Sequence, residues 1–125
     1  MKIRELVDAV PSIRKISAQD LRAKTLYRVS LLLDRFDGEL KSYDDVREKL
    51  IAKYCDRKGD RVVPRAECAE EFEREMLELL DTDIDMEGVK PVEIPADEDV
   101  RLSYADLRLL DGFVTIKFEE DEENA

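Results

Sequence analysis

Residues 26–54 constrain this chain more than any other stretch. Leu26, Val29, Leu33, Phe36, Leu40, Tyr43, Arg47, Leu50 and Tyr54 recur at alternating steps of three and four, and only Arg47 is neither apolar nor aromatic. That spacing keeps one side of an α-helix apolar over about four heptads. Asp34, Arg35, Asp37, Glu39, Lys41, Asp44, Asp45, Glu48, Lys49 and Lys53 take the other faces. A helix of about 30 residues is about 45 Å long. With such a stripe along it, something must cover it.

The flanking segments supply that cover. Ile3, Leu6, Val7, Val10, Ile13 and Ile16 share one face of a first helix over residues 3–17. Pro11 lies inside it and either kinks it or starts a second helical piece from a first-turn position. Asp20 is the candidate N-cap of the long helix, read as residues 21–54. Gly38, within it, costs roughly 1 kcal/mol relative to Ala. The short connection makes these two helices antiparallel neighbours. Asp56-Arg57-Lys58-Gly59-Asp60 and then Arg61-Val62-Val63-Pro64 read as a turn with a short extended piece at Val62–Val63. A third helix follows over about 65–80. Its inner face carries Cys68 or Ala69, Phe72, Met76, Leu79 and Leu80, and its outer face Glu70, Glu71, Glu73, Glu75 and Glu78. The fold class is therefore mainly α, with a minor α+β part: a long central helix with two shorter antiparallel helices, one against each half, in left-handed, near-parallel packing.

Past Leu80 the pattern changes. Residues 81–88 alternate in polarity, and Pro91 and Pro95 hold the next stretch extended. Together they predict a small β-hairpin turning at Glu87-Gly88. Ser103-Tyr104-Ala105-Asp106 is a near capping box, with Asp in place of Glu or Gln, opening a short helix with Leu107 and Leu110. Residues 113–118 either continue that helix or form a strand; Gly112 and the β-branched residues lean towards the strand. Glu119 to Glu123 are consecutive acids and read as a solvated, disordered tail. The expected organisation is one domain over 1–118, its small α+β part starting near 81, and an acidic tail over 119–125.

Charge narrows the functional classes. The first 54 residues hold 12 Lys/Arg against 9 Asp/Glu, and the rest hold 9 against 23, which together make the net charge of −11. The acidic half repels nucleic acid and membrane surfaces and suits basic protein partners. No apolar run approaches the roughly 18 residues of a membrane span, and no signal-peptide core opens the chain, so a cytoplasmic protein is expected. With no histidine, Ser-His-Asp and Cys-His catalysis and His-containing zinc sites are excluded. Cys55 and Cys68 are expected as free, partly buried thiols.

The remaining candidate chemistries are thin. Asp81, Asp83 and Asp85 have the opening spacing of a calcium loop, but Met86 stands where Gly is needed and Val92 where Glu is needed. Glu71 with Glu75, or Glu75 with Glu78, lack the His of a di-iron site. Ser30, Ser42 and Cys55 have no identifiable base. No catalytic residue, metal ligand or cofactor is assigned. Two charged groups remain as candidate interaction surfaces: the carboxylates Glu70, Glu71 and Glu73, and a basic cluster of Arg14, Lys15, Arg22, Lys24 and Arg28 at the junction of the first two helices. That cluster is read as meeting the acidic half, in the same molecule or in a neighbour, rather than nucleic acid. Arg47 is read as snorkelling past its neighbours or meeting a carboxylate of the third helix.

Glu5-Leu6-Val7-Asp8-Ala9-Val10-Pro11, Gln19-Asp20-Leu21, Lys49-Leu50-Ile51-Ala52-Lys53-Tyr54, Phe72 to Leu80, and Leu102-Ser103-Tyr104-Ala105-Asp106-Leu107 occur in an order that resembles a family of uncharacterised proteins from tailed phages and prophages of Gram-positive bacteria. The resemblance covers most of the chain and departs at Cys55, where Gly is expected. It implies a phage-encoded protein and supplies no catalytic residues. The reading that follows is a non-enzymatic protein-interaction module, an accessory or assembly factor, with a homo-oligomer among its candidate assemblies. The rival is an acidic DNA-mimic inhibitor of a host or defence nuclease.

Overall fold

The structure is a computed structural model that describes residues 1–117; the expected acidic tail lies outside the described residues. The protein is mainly helical, with four α-helices and two small two-stranded sheets. The elements run α1 (Ile3–Ser17), α2 (Ala23–Tyr54), β1 (Cys55–Lys58), β2 (Arg61–Pro64), a 3-10 turn (Ala66–Cys68), α3 (Ala69–Leu80), β3 (Val92–Ile94), α4 (Tyr104–Leu109) and β4 (Val114–Ile116). None of these helices is long and apolar enough to cross a membrane.

α1 runs without a break through Pro11. The proline is exposed, so the carbonyl of Val7 that loses its helical partner lies on the wet side. α1 buries Leu6, Ala9, Val10, Ile13 and Ile16 against Val29, Leu32 and Phe36 of α2. The two strands β3 and β4 and the end of α4 close this cluster with Val92, Ile94, Val114 and Leu110. Phe36 is its centre. The ring is fully buried and meets Phe113 edge to face, with centroids 5.0 Å apart and planes at 82°.

A second, smaller cluster sits at the far end of α2. Ile51, Tyr54 and Cys55 pack with Leu50, Val62, Cys68 and Phe72. Tyr54, the last residue of α2, meets Phe72 in the first turn of α3 and donates its hydroxyl to Glu75 at 3.1 Å. α3 therefore turns back along α2. Its C-terminal end reaches the start of α1: the amide of Ile3 donates to the carbonyl of Thr82 at 3.0 Å, the amide of Ile84 to that of Met1 at 2.7 Å, and Arg4 holds Asp81 at 2.6 Å. The two clusters are not continuous. Residues 44–49 are all exposed, Val46 and Arg47 among them. The carboxylate near Arg47 is that of Glu48, its own helical neighbour, at 3.9 Å, so the expected partner on α3 is replaced by a local, solvated one.

The strands correct the sequence reading. The hairpin expected over 81–95 does not form; that stretch contributes one isolated bridge, Lys2 with Asp83, and the three-residue strand β3 between the two prolines. β3 pairs in parallel with β4, Val92 opposite Val114 and Ile94 opposite Ile116. Pro91 and Pro95 flank β3 directly and have no amide hydrogen to donate, which stops the ladder at both ends. The antiparallel hairpin is instead β1–β2, where a turn with a short extended piece at Val62–Val63 was expected, with Lys58 opposite Arg61. Its two-residue loop places Gly59 at φ +64° while Asp60 stays at negative φ, the pattern of a type II′ turn with Gly in first place. Gly-Asp between two extended runs is a hairpin signal; the surrounding charges masked it. Residues 114–116 are the strand that the β-branched run favoured.

Gly38 offers a direct test of the long helix. It is exposed in the interior of α2, and a Cβ there would meet nothing within 4 Å. Gly38→Ala is expected to raise stability by roughly 0.5–1 kcal/mol, read as a higher urea midpoint at unchanged slope. A loss of stability would mean that α2 does not pass straight through this position.

Candidate functional site

The first two helices of this chain carry the positive charge and the later segments the negative, and the fold brings the two into contact. Residues 97–106 run across the junction of α1 and α2. Arg22, just before α2, has extended backbone and no side-chain cap of its own, so Asp20 does not cap the helix as expected. Glu98 does so from 76 positions away. Its carboxylate accepts the Arg22 amide at 2.5 Å and the hydroxyl of the buried Thr25, and its side chain is only 3% exposed. A carboxylate in the first turn satisfies donors that the helix cannot and lies at the positive end of its dipole. Arg22 also pairs with Asp97, whose carboxyl it holds below the usual carboxylate range by a side-chain hydrogen bond. Gln19 and Arg101 exchange side-chain and backbone hydrogen bonds at 2.6 and 2.7 Å.

Asp106 completes this seam. Ser103 and Asp106 form both halves of the capping box that opens α4, the Asp106 amide donating to Ser103 Oγ at 3.1 Å and the Ser103 amide to the Asp106 carboxylate at 3.0 Å. The same carboxylate accepts Lys15 Nζ and the hydroxyl of buried Ser12, each at 2.7 Å. Lys15, then Ser12, then the Ser103 amide hold its acidity well below the usual carboxylate range against the opposing effect of burial.

Thus Lys15 and Arg22 of the basic cluster are engaged by the acidic half of the same chain, and Arg14 pairs with Asp37 of α2 at 2.8 Å. Among the described residues Lys24 and Arg28 have no carboxylate within 4 Å. Arg28 instead lines a cleft of about 400 Å³ between α2 and residues 88–92, together with Leu31, Leu32, Arg35, Val89, Lys90, Pro91 and Val92. Arg35 Nη2 donates to the carbonyl of Asp85 at 2.9 Å, which anchors that guanidinium at the cleft edge. The site brings together three cations and an apolar wall, and among the described residues no carboxylate lines it. Its side chains offer positive charge and apolar contact for binding.

The predicted acidic residues lie elsewhere. Glu70, Glu73, Arg74, Leu77, Glu78 and Asp81 line a shallow groove of about 550 Å³ on the outer face of α3. Glu71 is turned to Arg74 at 3.7 Å. Cys55 and Cys68 are free thiols; burial pushes the Cys55 thiol up, although the nearby Arg65 charge opposes this. Asp81 and Asp85 of the calcium-like spacing are taken up by Arg4 and by the Glu87 amide, and no group of three or more Cys, Asp or Glu suited to a metal ion occurs among the described residues. The chain matches no protein-family model, no curated protein and no solved structure.

Two outcomes test the seam. Asp106→Ala is expected to cost about 2 kcal/mol at pH 7, because a charge-assisted acceptor and the side-chain half of the capping box that takes the Ser103 amide vanish together and the Ser12 hydroxyl is left buried without a partner. The folded carboxyl of Asp106 is the more acidic, so its contribution is fully present above the ordinary aspartate value of about 3.9 and is lost as pH falls below it. Chemical denaturation of wild type and variant at pH 7 and pH 3 should show the gap narrowing at the lower pH. Glu98→Ala is expected to cost about 1–3 kcal/mol by stranding Thr25 and the first turn of α2, with hydrogen exchange rising at the amides of residues 22–26.

Proposed function

We propose that this chain is a non-enzymatic protein-interaction module, an accessory or assembly factor of phage or prophage origin as the resemblance implies. The observation that carries the interaction reading is the outer face of α3. Leu77 is 47% exposed there and shares its groove with Glu70, Glu73, Glu78 and Asp81. A large apolar side chain among four carboxylates and one guanidinium is poorly served by water and well served by a partner surface that supplies an apolar contact and a mainly basic rim. The partner of this face is a basic protein surface. Tyr27 and Leu31, one turn apart on α2 and both more than half exposed, add an apolar face on which a second copy could pack.

The rival reading, a DNA-mimic inhibitor of a nuclease, draws on the same carboxylates. Arg74 weighs against it: the guanidinium stands among Glu70, Glu73 and Glu78 and pairs with Glu71, which interrupts a phosphate-like row. The Leu77 variant and competition by DNA separate the two, since both readings need the carboxylates. Glu70→Lys with Glu73→Lys, and separately Leu77→Asp, are expected to reduce capture of a host-lysate partner at least tenfold while the melting temperature stays within a few degrees. If the captured partner is a nuclease released by competing DNA, and Leu77→Asp leaves binding intact, the mimic reading replaces ours. Light scattering decides the self-association part, since a strict monomer at high concentration removes it.

A further inference from the structure

We infer that the cleft between α2 and residues 88–92 is a docking site for an acidic peptide segment of a partner protein, one that carries apolar side chains between carboxylates. The inference rests on the interaction-module reading and names a second, oppositely charged partner surface for it. Three observations carry it. The first is charge: in a chain of net charge −11, the cleft is lined by Arg28, Arg35 and Lys90 and, among the described residues, by no carboxylate. The second is order along the helix. Arg28 and Arg35 are two turns apart on α2, about 10 Å along its axis, with Leu31 and Leu32 between them. A single small anion would meet one end of that row; a segment with acids at both ends of an apolar middle meets all of it. The third is preparation. Arg35 is tethered to the Asp85 carbonyl at 2.9 Å, the carboxylate of Asp85 is occupied by the Glu87 amide at 2.9 Å, and the opposite wall is held by the Val92 amide, which donates to the Phe113 carbonyl at 2.8 Å. A cleft held open on both sides loses less freedom on binding than one assembled by its ligand. Its volume of about 400 Å³ is at the lower end of the range of ligand pockets, about 300–1,000 Å³, enough for the apolar side chains of a short segment.

The test uses the full chain and a fluorescent hexapeptide, Asp-Glu-Leu-Leu-Glu-Asp, followed by anisotropy. Binding is expected to weaken at least tenfold in Arg28→Glu with Arg35→Glu, and separately in Lys90→Glu and in Leu31→Asp. All four positions lie at the surface, and circular dichroism melts identify any variant that has lost its fold. Binding should also fall as salt rises from about 0.1 to 0.5 M. No binding of the acidic peptide, equal binding of its Asn/Gln counterpart, or unchanged binding in the reversed variants would each overturn the assignment. Calorimetric binding of octanoate with no peptide binding would overturn the peptide assignment and make the cleft a small-amphiphile site instead. The chain's own residues 118–123, Phe-Glu-Glu-Asp-Glu-Glu, have similar chemistry, so a variant with those acids changed to amides is a further arm. Unchanged affinity supports an outside partner; a tenfold gain would assign the cleft to the chain's own end and overturn the partner claim. Failure of the peptide arms while the α3 face still captures its lysate partner would sink this inference and leave the interaction-module reading intact.

Discussion

The rest of the structure depends on covering the apolar side of α2. A 32-residue helix is about 48 Å long, more than any other element here can span, so the cover is assembled from pieces. α1, the β3–β4 pair and the end of α4 shield the first half around Phe36, and the β1–β2 hairpin and α3 shield the last turns around Tyr54. Between them lies a short stretch, residues 44–49, where the helix carries its own charge outward on every side. Arg47 falls at the one place in the heptad pattern where nothing packs, which is why a cation is tolerated there.

The second constraint is electrostatic. Between β3 and α4 the apolar anchors against the core are only the partly buried Val100 and Leu102. Carboxylates do much of the holding: Asp97 and Glu98 grip the start of α2, and Asp106 grips Ser12 and Lys15 of α1. Exposed ion pairs contribute little singly, about 0–1 kcal/mol, but Glu98 and Asp106 are largely shielded and each accepts several donors. The uneven charge of the chain is thus partly a docking device within the molecule. What remains after that internal pairing is the acidic face of α3 and the cation-lined cleft beside α2, two surfaces of opposite sign on one small protein.

Much of the helical layout could be read in advance. The 3–4 spacing over residues 26–54, the apolar face of residues 3–17 and the Ser103–Asp106 box are local patterns that became the elements they implied, and of the helix expected over 65–80 residues 69–80 are α-helical, after a 3-10 turn at Ala66–Cys68. Of the small strands, β4 and the Val62–Val63 part of β2 were read, while β1 and the pairing of β3 were missed because their deciding features were subtler. Gly59-Asp60 carried a turn signal amid five charged residues, while the polarity alternation of residues 81–88 mimicked a strand that the later prolines could not extend. The candidate site was half legible. Arg28, Leu31, Leu32 and Arg35 share one region of a helix, but Lys90 joins them from 55 positions away, and no local rule connects them. Glu98 was missed as a cap for the same reason: capping rules look three residues ahead, and this cap comes from a distant segment.

What the sequence by itself determined is the set of helices and the imbalance of charge between its halves, because helix periodicity and composition are properties of neighbours along the chain. The tertiary structure alone decided that β3 pairs in parallel with β4, that Lys15 and Arg22 of the basic junction are paired by residues 97–106, and that three cations meet around an apolar cleft. Those outcomes depend on which distant groups are close enough to exchange hydrogen bonds and charge, and that proximity exists only once α2 has been covered.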